Sequence, residues 1–212
     1  MALTTEERPA RSARKPKGDG HLRRAEILKA AERIFVELGY EGATIRRIAD
    51  EVGLSSTALY MHFRDKGEIL LEICGGQFEA LTRINADLLA EEMDPVVRVR
   101  RMLEGYFDFA FANPNIYRLA FCSPQLLVNA GQGEEVIRLG RRTYDLFSEG
   151  VRRIEATGRL RGADVDLASQ TAWAACHGIV SLVLTRPWVR WGDLGALRAS
   201  MLETVFAGLA KP

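Results

Sequence analysis

From Leu22 almost to the end of the chain, apolar residues recur every three to four positions, and no stretch sustains a polar–apolar alternation. A period near 3.6 puts such residues on one face of a helix, whereas a half-buried strand needs a period of two. The core must therefore come from packed helices, and the fold class is all-α. Glycine, proline and short polar residues cut the pattern into nine segments. The first runs from about Leu22 to Leu38 and is closed by Gly39. Thr44 and Ser55 are placed to cap two short helices ending at Gly53 and near His62. Asp65, three residues before Glu68, opens a fourth helix that reaches about Ala90. Asp94-Pro95 and Asn113-Pro114 each pair a capping residue with a proline at the first helical position, and open helices to about Ala112 and Phe121. Residues 122–133, with Ser123, Pro124, Gly131 and Gly133, read as a loop. Helices of about 134–157 and 165–185 follow, and Asp193 caps a last one to about Leu209.

Net charge is only +1, so the overall balance selects no partner, but its distribution is uneven. Between Arg8 and Arg24 stand seven basic residues against one acid, Asp19. With Pro9, Pro16, Gly18 and Gly20 among them, residues 1–20 read as a flexible basic arm suited to nucleic acid. The same run would also serve as a solvated tail. Cys74, Cys122 and Cys176 are odd in number and widely spaced, which fits no disulfide framework and no zinc site and suits a reducing cytoplasm. There is no signal-peptide core at the N-terminus. The longest apolar run, Thr171 to Thr185, is short for a membrane span and contains His177.

The segment most informative about chemistry is TIRRIADEVGLSSTALYMHFRDK, Thr44 to Lys66. Ile45, Ile48, Ala49 and Val52 give one short helix a buried face, and Ala49 is small where a second helix must approach. Gly53 sits in the turn between them, and Leu54 and Leu59 close a miniature core. This is the pattern of a helix-turn-helix. Ser55, Ser56 and Thr57 open the second helix with small hydroxyls that can reach base edges or phosphates. Short amphipathic helices around a glycine occur in many helical proteins. The flanking residues and the basic arm favour a DNA-binding head over residues 21–66.

This stretch closely resembles the TetR family of bacterial regulators, through the first helix, Thr44, and the run Leu59-Tyr60-x-His62-Phe63-x-x-Lys66. The resemblance implies phosphate contacts from Thr44, Tyr60 and Lys66, with His62 contacting phosphate or bracing the fourth helix. Arg46, Ser55, Ser56, Thr57 and Met61 complete the expected DNA-facing set. Ser56, Thr57 and Met61 depart from the residues usual in the family, so base readout is expected to be particular to this chain. A Trp173-x-x-x-His177-Gly178 pattern resembles one branch of the family's C-terminal domains.

Residues 67–212 are then a helical effector-binding and dimerisation body. Its aromatic residues Phe78, Tyr106, Phe109, Tyr117, Phe121, Tyr144, Phe147 and Trp173, with His177, are candidates for an apolar pocket carrying a few polar groups. The same residues would serve equally as plain core. No acidic cluster stands out there, so a mainly apolar or aromatic effector is expected. The last two helices are apolar over most of their circumference, which predicts a four-helix interface between two copies through Ala172, Cys176, Ile179, Val183, Leu197, Met201, Val205 and Leu209. The expected protein is a cytoplasmic homodimeric repressor released from a palindromic operator, with no metal, no cofactor and no catalytic residue. The alternatives are a DNA-binding regulator without an effector, and a helical enzyme using His177 or Cys122. The second lacks any phosphate loop, nucleophile elbow or metal cluster.

Overall fold

The structure, a computed structural model, describes residues 20–121, 133–162 and 164–211. The basic arm as far as residue 19, Cys122 and the rest of the loop expected over 122–133 lie outside the described residues, apart from Gly133, which opens a helix instead. Among the described residues there are nine helices: α1 Gly20–Gly42, α2 Ile45–Glu51, α3 Ser56–Tyr60, α4 Lys66–Ala90, α5 Pro95–Ala112, α6 Pro114–Phe121, α7 Gly133–Ala156, α8 Val165–Thr185 and α9 Leu194–Leu209. Extended pairing among the described residues is limited to one antiparallel bridge, Leu160 with Ala210.

The helix starts follow from side-chain chemistry. Thr44, Ser55, Asp65, Asp94, Asp164 and Asp193 each accept a hydrogen bond from a free backbone N–H in the first turn of the helix they precede. The box at α4 is reciprocal but offset, because Glu68 accepts from the N–H of Arg64, one residue before the cap. Asn113 corrects the expectation for α6. Its amide donates 2.9 Å back to Phe109 O and so closes α5. In α1, Gly39 takes φ 70°, so the helical path breaks there even though helical geometry resumes to Gly42.

Two apolar clusters organise the chain. The first joins Ile27, Ala31, Ile34 and Phe35 of α1 with Ile48, Ala49, Leu59, Phe63 and the α4 residues Ile69, Leu70, Ile73 and Phe78. It does not stop at the head, since Ile116, Leu119 and Ala120 of α6 and Leu139 of α7 belong to it. Each fully buried aliphatic or aromatic side chain here contributes about 1.5–3 kcal/mol. The second cluster packs α5, α6, α7, α8 and α9 around Val99, Tyr117, Val151, Ile154, Ala172, Cys176 and Val180.

This packing corrects part of the expected subunit interface. Ala172 and Cys176 are fully enclosed by the body's own core, with Cys176 Sγ 3.8 Å from Leu103 O, and Met201 and Leu209 are buried as well. A helix apolar on all sides does not declare in its sequence which side faces its own subunit. Half-buried Ile179, Val183, Leu197 and Val205 flank the enclosed face, while Thr171, Ala174 and Leu182 point outward.

Gly53 turns from α2 to α3 with φ 67°. A Cβ there strains the left-handed backbone by about 1–2 kcal/mol. Gly53→Ala is therefore expected to lower stability by about that amount, read as a lower thermal unfolding midpoint with the helical content unchanged.

Candidate nucleic-acid interface and effector cavity

The helix-turn-helix presents one outward face. Tyr60 is 54% exposed and Met61 84% exposed, so neither contributes a buried side chain to the fold. Thr57, Ser55, Thr44 and Arg46 are also exposed, and Ser56 and His62 are half-buried. Thr44 Oγ1 accepts from Arg47 N at 3.2 Å, and Ser55 Oγ from Ala58 N at 3.1 Å. Each hydroxyl keeps its own hydrogen free to donate, which is the polarity a phosphate or base acceptor requires. Arg46 reaches Asp50 only at 3.9 Å with both side chains solvated, a pair of little worth that a phosphate can replace.

Lys66, expected to contact phosphate, is engaged within the head. Its ammonium donates to Tyr40 O at 2.8 Å and to Ala43 O at 3.4 Å, and lies 4.1 Å from the centre of the Tyr40 ring. It thus fastens the start of α4 to the α1–α2 turn.

Arg24 was not anticipated from the sequence, yet it sets where α3 sits. From α1 its Nε donates to both oxygens of Glu72 at 3.0 Å, and another nitrogen donates to the backbone oxygen of His62 at the end of the recognition helix. The guanidinium also lies 4.0 Å over the Phe63 ring. One planar fork therefore joins α1, the α3 terminus and α4. The available signal was an arginine on the polar flank of the first helix matched by two acids one turn apart, Glu68 and Glu72.

Within the body, a cavity of about 620 Å³ opens between α4, α5, α6, α7 and α8. Phe78, Tyr106, Phe121, Tyr144, Phe147, Trp173 and His177 line it, so the structure brings together seven of the nine pocket candidates. Phe109 is a correction: it lies a turn beyond Tyr106, buried in the body's core. Tyr117 is a partial one. It is fully buried behind the wall, yet its hydroxyl lies 2.9 Å from His177 Nδ1 and 3.1 Å from the Tyr106 hydroxyl, itself 2.8 Å from Nδ1. Burial holds the His177 pKa below its ordinary value. A neutral ring whose Nδ1 accepts from a tyrosine carries its proton on Nε2. Asn85, Thr143 and Gln170 also line the cavity and were missed. Asn85 was findable, since Phe78, Leu81 and Asn85 follow helical spacing on α4.

Two outcomes are expected. Arg24→Ala should loosen the recognition helix and lower stability by about 1 kcal/mol, discounted for solvent at a site about one-third exposed, with a larger loss in DNA affinity than in stability. For His177, the folded-state pKa is depressed, so its contribution is complete above the ordinary value near pH 6.5 and is lost as pH falls through the interval below it. Thermal midpoints should drop as the pH falls below about 6.5, and the drop should shrink in His177→Gln.

Comparison with known proteins places these two sites in a family context. Residues 27–73 match the family model described as bacterial regulatory proteins, tetR family, and residues 99–205 match that of the tetracyclin repressor-like C-terminal domain. The HTH-type transcriptional activator FasR of Mycolicibacterium smegmatis is 35% identical over 120 residues, 55% of this chain and 53% of its own length. The HTH-type transcriptional repressor AcnR of Corynebacterium diphtheriae is 46% identical over 70 residues, 33% of each chain. The chain thus spans about half the length of the first relative and a third of the second. The crystal structure of PfmR, a TetR family transcriptional regulator from Thermus thermophilus, superposes with a TM-score of 0.72 at 27% identity, covering 87% of this chain and 99% of that one.

Proposed function

The chain belongs to the TetR family and is a helix-turn-helix transcriptional regulator, and we propose that it acts as a homodimeric repressor released from a palindromic operator by a small, mainly apolar effector. In this reading residues 21–66 form the head that reads DNA, and residues 67–212 sense the effector and pair the subunits. It works in the cytoplasm, as a binding protein and not an enzyme. The relatives named as repressors, AcnR among them, support that sign of regulation.

One observation carries ligand release: the same helix serves the head and the cavity. The first turns of α4 bury Ile69 and Leu70 in the head, and its later turns present Phe78, Leu81 and Asn85 to the cavity. Helix α6 repeats the arrangement, with Ile116 and Leu119 in the head cluster and Phe121 on the cavity wall. A ligand that shifts α4 or α6 must therefore move the recognition helix, which Arg24 ties to α4. If the ligand prefers the DNA-free geometry, operator DNA must weaken ligand binding by the same factor, with a coupling of about 1–3 kcal/mol. Titration of an apolar ligand with and without operator tests this. Equal affinities would leave the second reading, a regulator controlled by its abundance alone.

In the DNA complex, Tyr60, Thr44 and Arg46 are assigned to phosphates, Ser55, Ser56, Thr57 and Met61 to the groove, and His62 to a phosphate or to bracing α4. Lys66 supports the phosphate contacts by holding the α1–α2 turn. Tyr60→Phe is expected to weaken binding to all sequences alike, whereas Ser56 and Thr57 replacements shift sequence preference; competition assays across operator variants separate the two. Two recognition helices about 34–36 Å apart fit successive major grooves.

The pairing surface is the outward face of α8 and α9. Helix α8 is long and apolar enough to cross a membrane by length and composition alone. Its inner residues, however, fill a protein core, which favours a second copy as the cover for Thr171, Ala174 and Leu182. Ala174→Arg with Leu182→Arg is expected to give monomers in sedimentation, with operator affinity lost. A dimer that persists would place the interface elsewhere.

A further inference from the structure

Most polar groups around the cavity already have partners within the protein. Tyr106 and Tyr117 share His177 Nδ1. Asn85 Nδ2 donates to Thr143 O at 3.3 Å, and the Thr143 hydroxyl lies 2.8 Å from that of Thr82. Tyr144 is different. Its ring stands edge-on to Trp173 with centroids 5.8 Å apart. Its hydroxyl is shielded from solvent and has no hydrogen-bond partner among the described residues. Folded proteins almost always satisfy such a group, because a buried hydroxyl without a partner forfeits the hydrogen bonds it made to water.

We propose that the Tyr144 hydroxyl is the polar handle of the cavity, and that it donates to an uncharged carbonyl oxygen, an ester or ketone, on an otherwise apolar ligand. This rests on the ligand-released reading and gives it a ligand class. The walls supply the rest of the recognition: Phe78, Phe121, Phe147 and Trp173 bury hydrocarbon. The charge arrangement decides against an ionised group at Tyr144. Burial, with Asp166 and Asp145 nearby, pushes the Tyr144 pKa up, so the phenol stays a neutral donor, and both carboxylates oppose an anion beside it. The cation lining the cavity, Arg141, is exposed at the rim, where it could meet a charged head only outside the apolar chamber. Among the described residues, no carboxylate lines the chamber to hold a cation.

The test is calorimetric titration of the full-length protein with methyl laurate, laurate and dodecane, which share a chain but differ in the oxygen function. Methyl laurate is expected to bind about tenfold more tightly than dodecane, the worth of one hydrogen bond in an apolar site. Tyr144→Phe should erase that advantage and leave dodecane binding unchanged. It should not lower the unfolding midpoint of the free protein, because the hydroxyl holds nothing when the cavity is empty. Three results would overturn the proposal: equal affinity of ester and alkane, an ester advantage that survives Tyr144→Phe, or a lowered midpoint in the free variant. Tightest binding of laurate, abolished by Arg141→Ala, would also overturn it and move recognition to the rim. Binding of the probes without an ester preference, but with release of operator, removes this proposal alone. No binding by any of them removes the ligand-released reading with it.

Discussion

The head of this protein does not have a core of its own. Helix α1 and the two short helices α2 and α3 can bury Ile27, Phe35, Ile48 and Leu59 only by closing over α4, and α4 in turn leans on Ile116 and Leu119 of α6. A unit of that size encloses too little apolar surface to stand alone comfortably. Sharing the core solves the stability problem and creates a mechanical one, because no helix at the junction can move without disturbing both halves. In the proposed reading, the ability to respond to a ligand is thus a by-product of how a small DNA-reading unit is kept folded.

Electrostatics divides the molecule in the same two parts. The DNA-facing surface is solvated and its ion pairs are loose, as with Arg46 and Asp50, so its charges can be redirected to phosphates with little loss. The described lining of the chamber is neutral apart from Arg141 at its rim: a histidine held uncharged by burial, phenols, amides and a threonine. Other arginines of the body close helix ends and do not face the cavity. Buried Arg98 donates to Leu88 O and Glu91 O where α4 finishes, and Arg118 donates to Leu184 O at the end of α8. These fixed contacts hold the frame against which the softer parts can shift.

Much of this was legible in the sequence, and the failures share a cause. Helix starts were readable because a cap is a local event: Thr44, Ser55, Asp65, Asp94 and Asp193 bond to N–H groups two or three residues away. Asn113 was misread because its amide can satisfy either neighbouring helix, and only packing chooses. Seven of the pocket candidates line the cavity, but Phe109 and Tyr117 share a composition with that lining and differ only by a turn of helix or a layer of depth. The interface suffered most. Ala172 and Cys176 sit on a helix without a polar face, so periodicity gave no direction to tell inside from outside. Arg24 escaped notice because its partners are separated from it by 38 to 48 residues.

Trp173 within α8 and Trp188 just beyond its end stand in different surroundings. The indole of Trp173 is stacked on the His177 ring, centroids 5.2 Å apart, in the cavity wall and 38% exposed, whereas Trp188 is 71% exposed on the surface between α8 and α9. Trp188 and the half-buried Trp191 emit as well, so with both replaced by phenylalanine the remaining indole fluorescence comes from the cavity wall alone. The protein reduced to that one indole carries an optical gauge of its cavity, readable without a dye or a label.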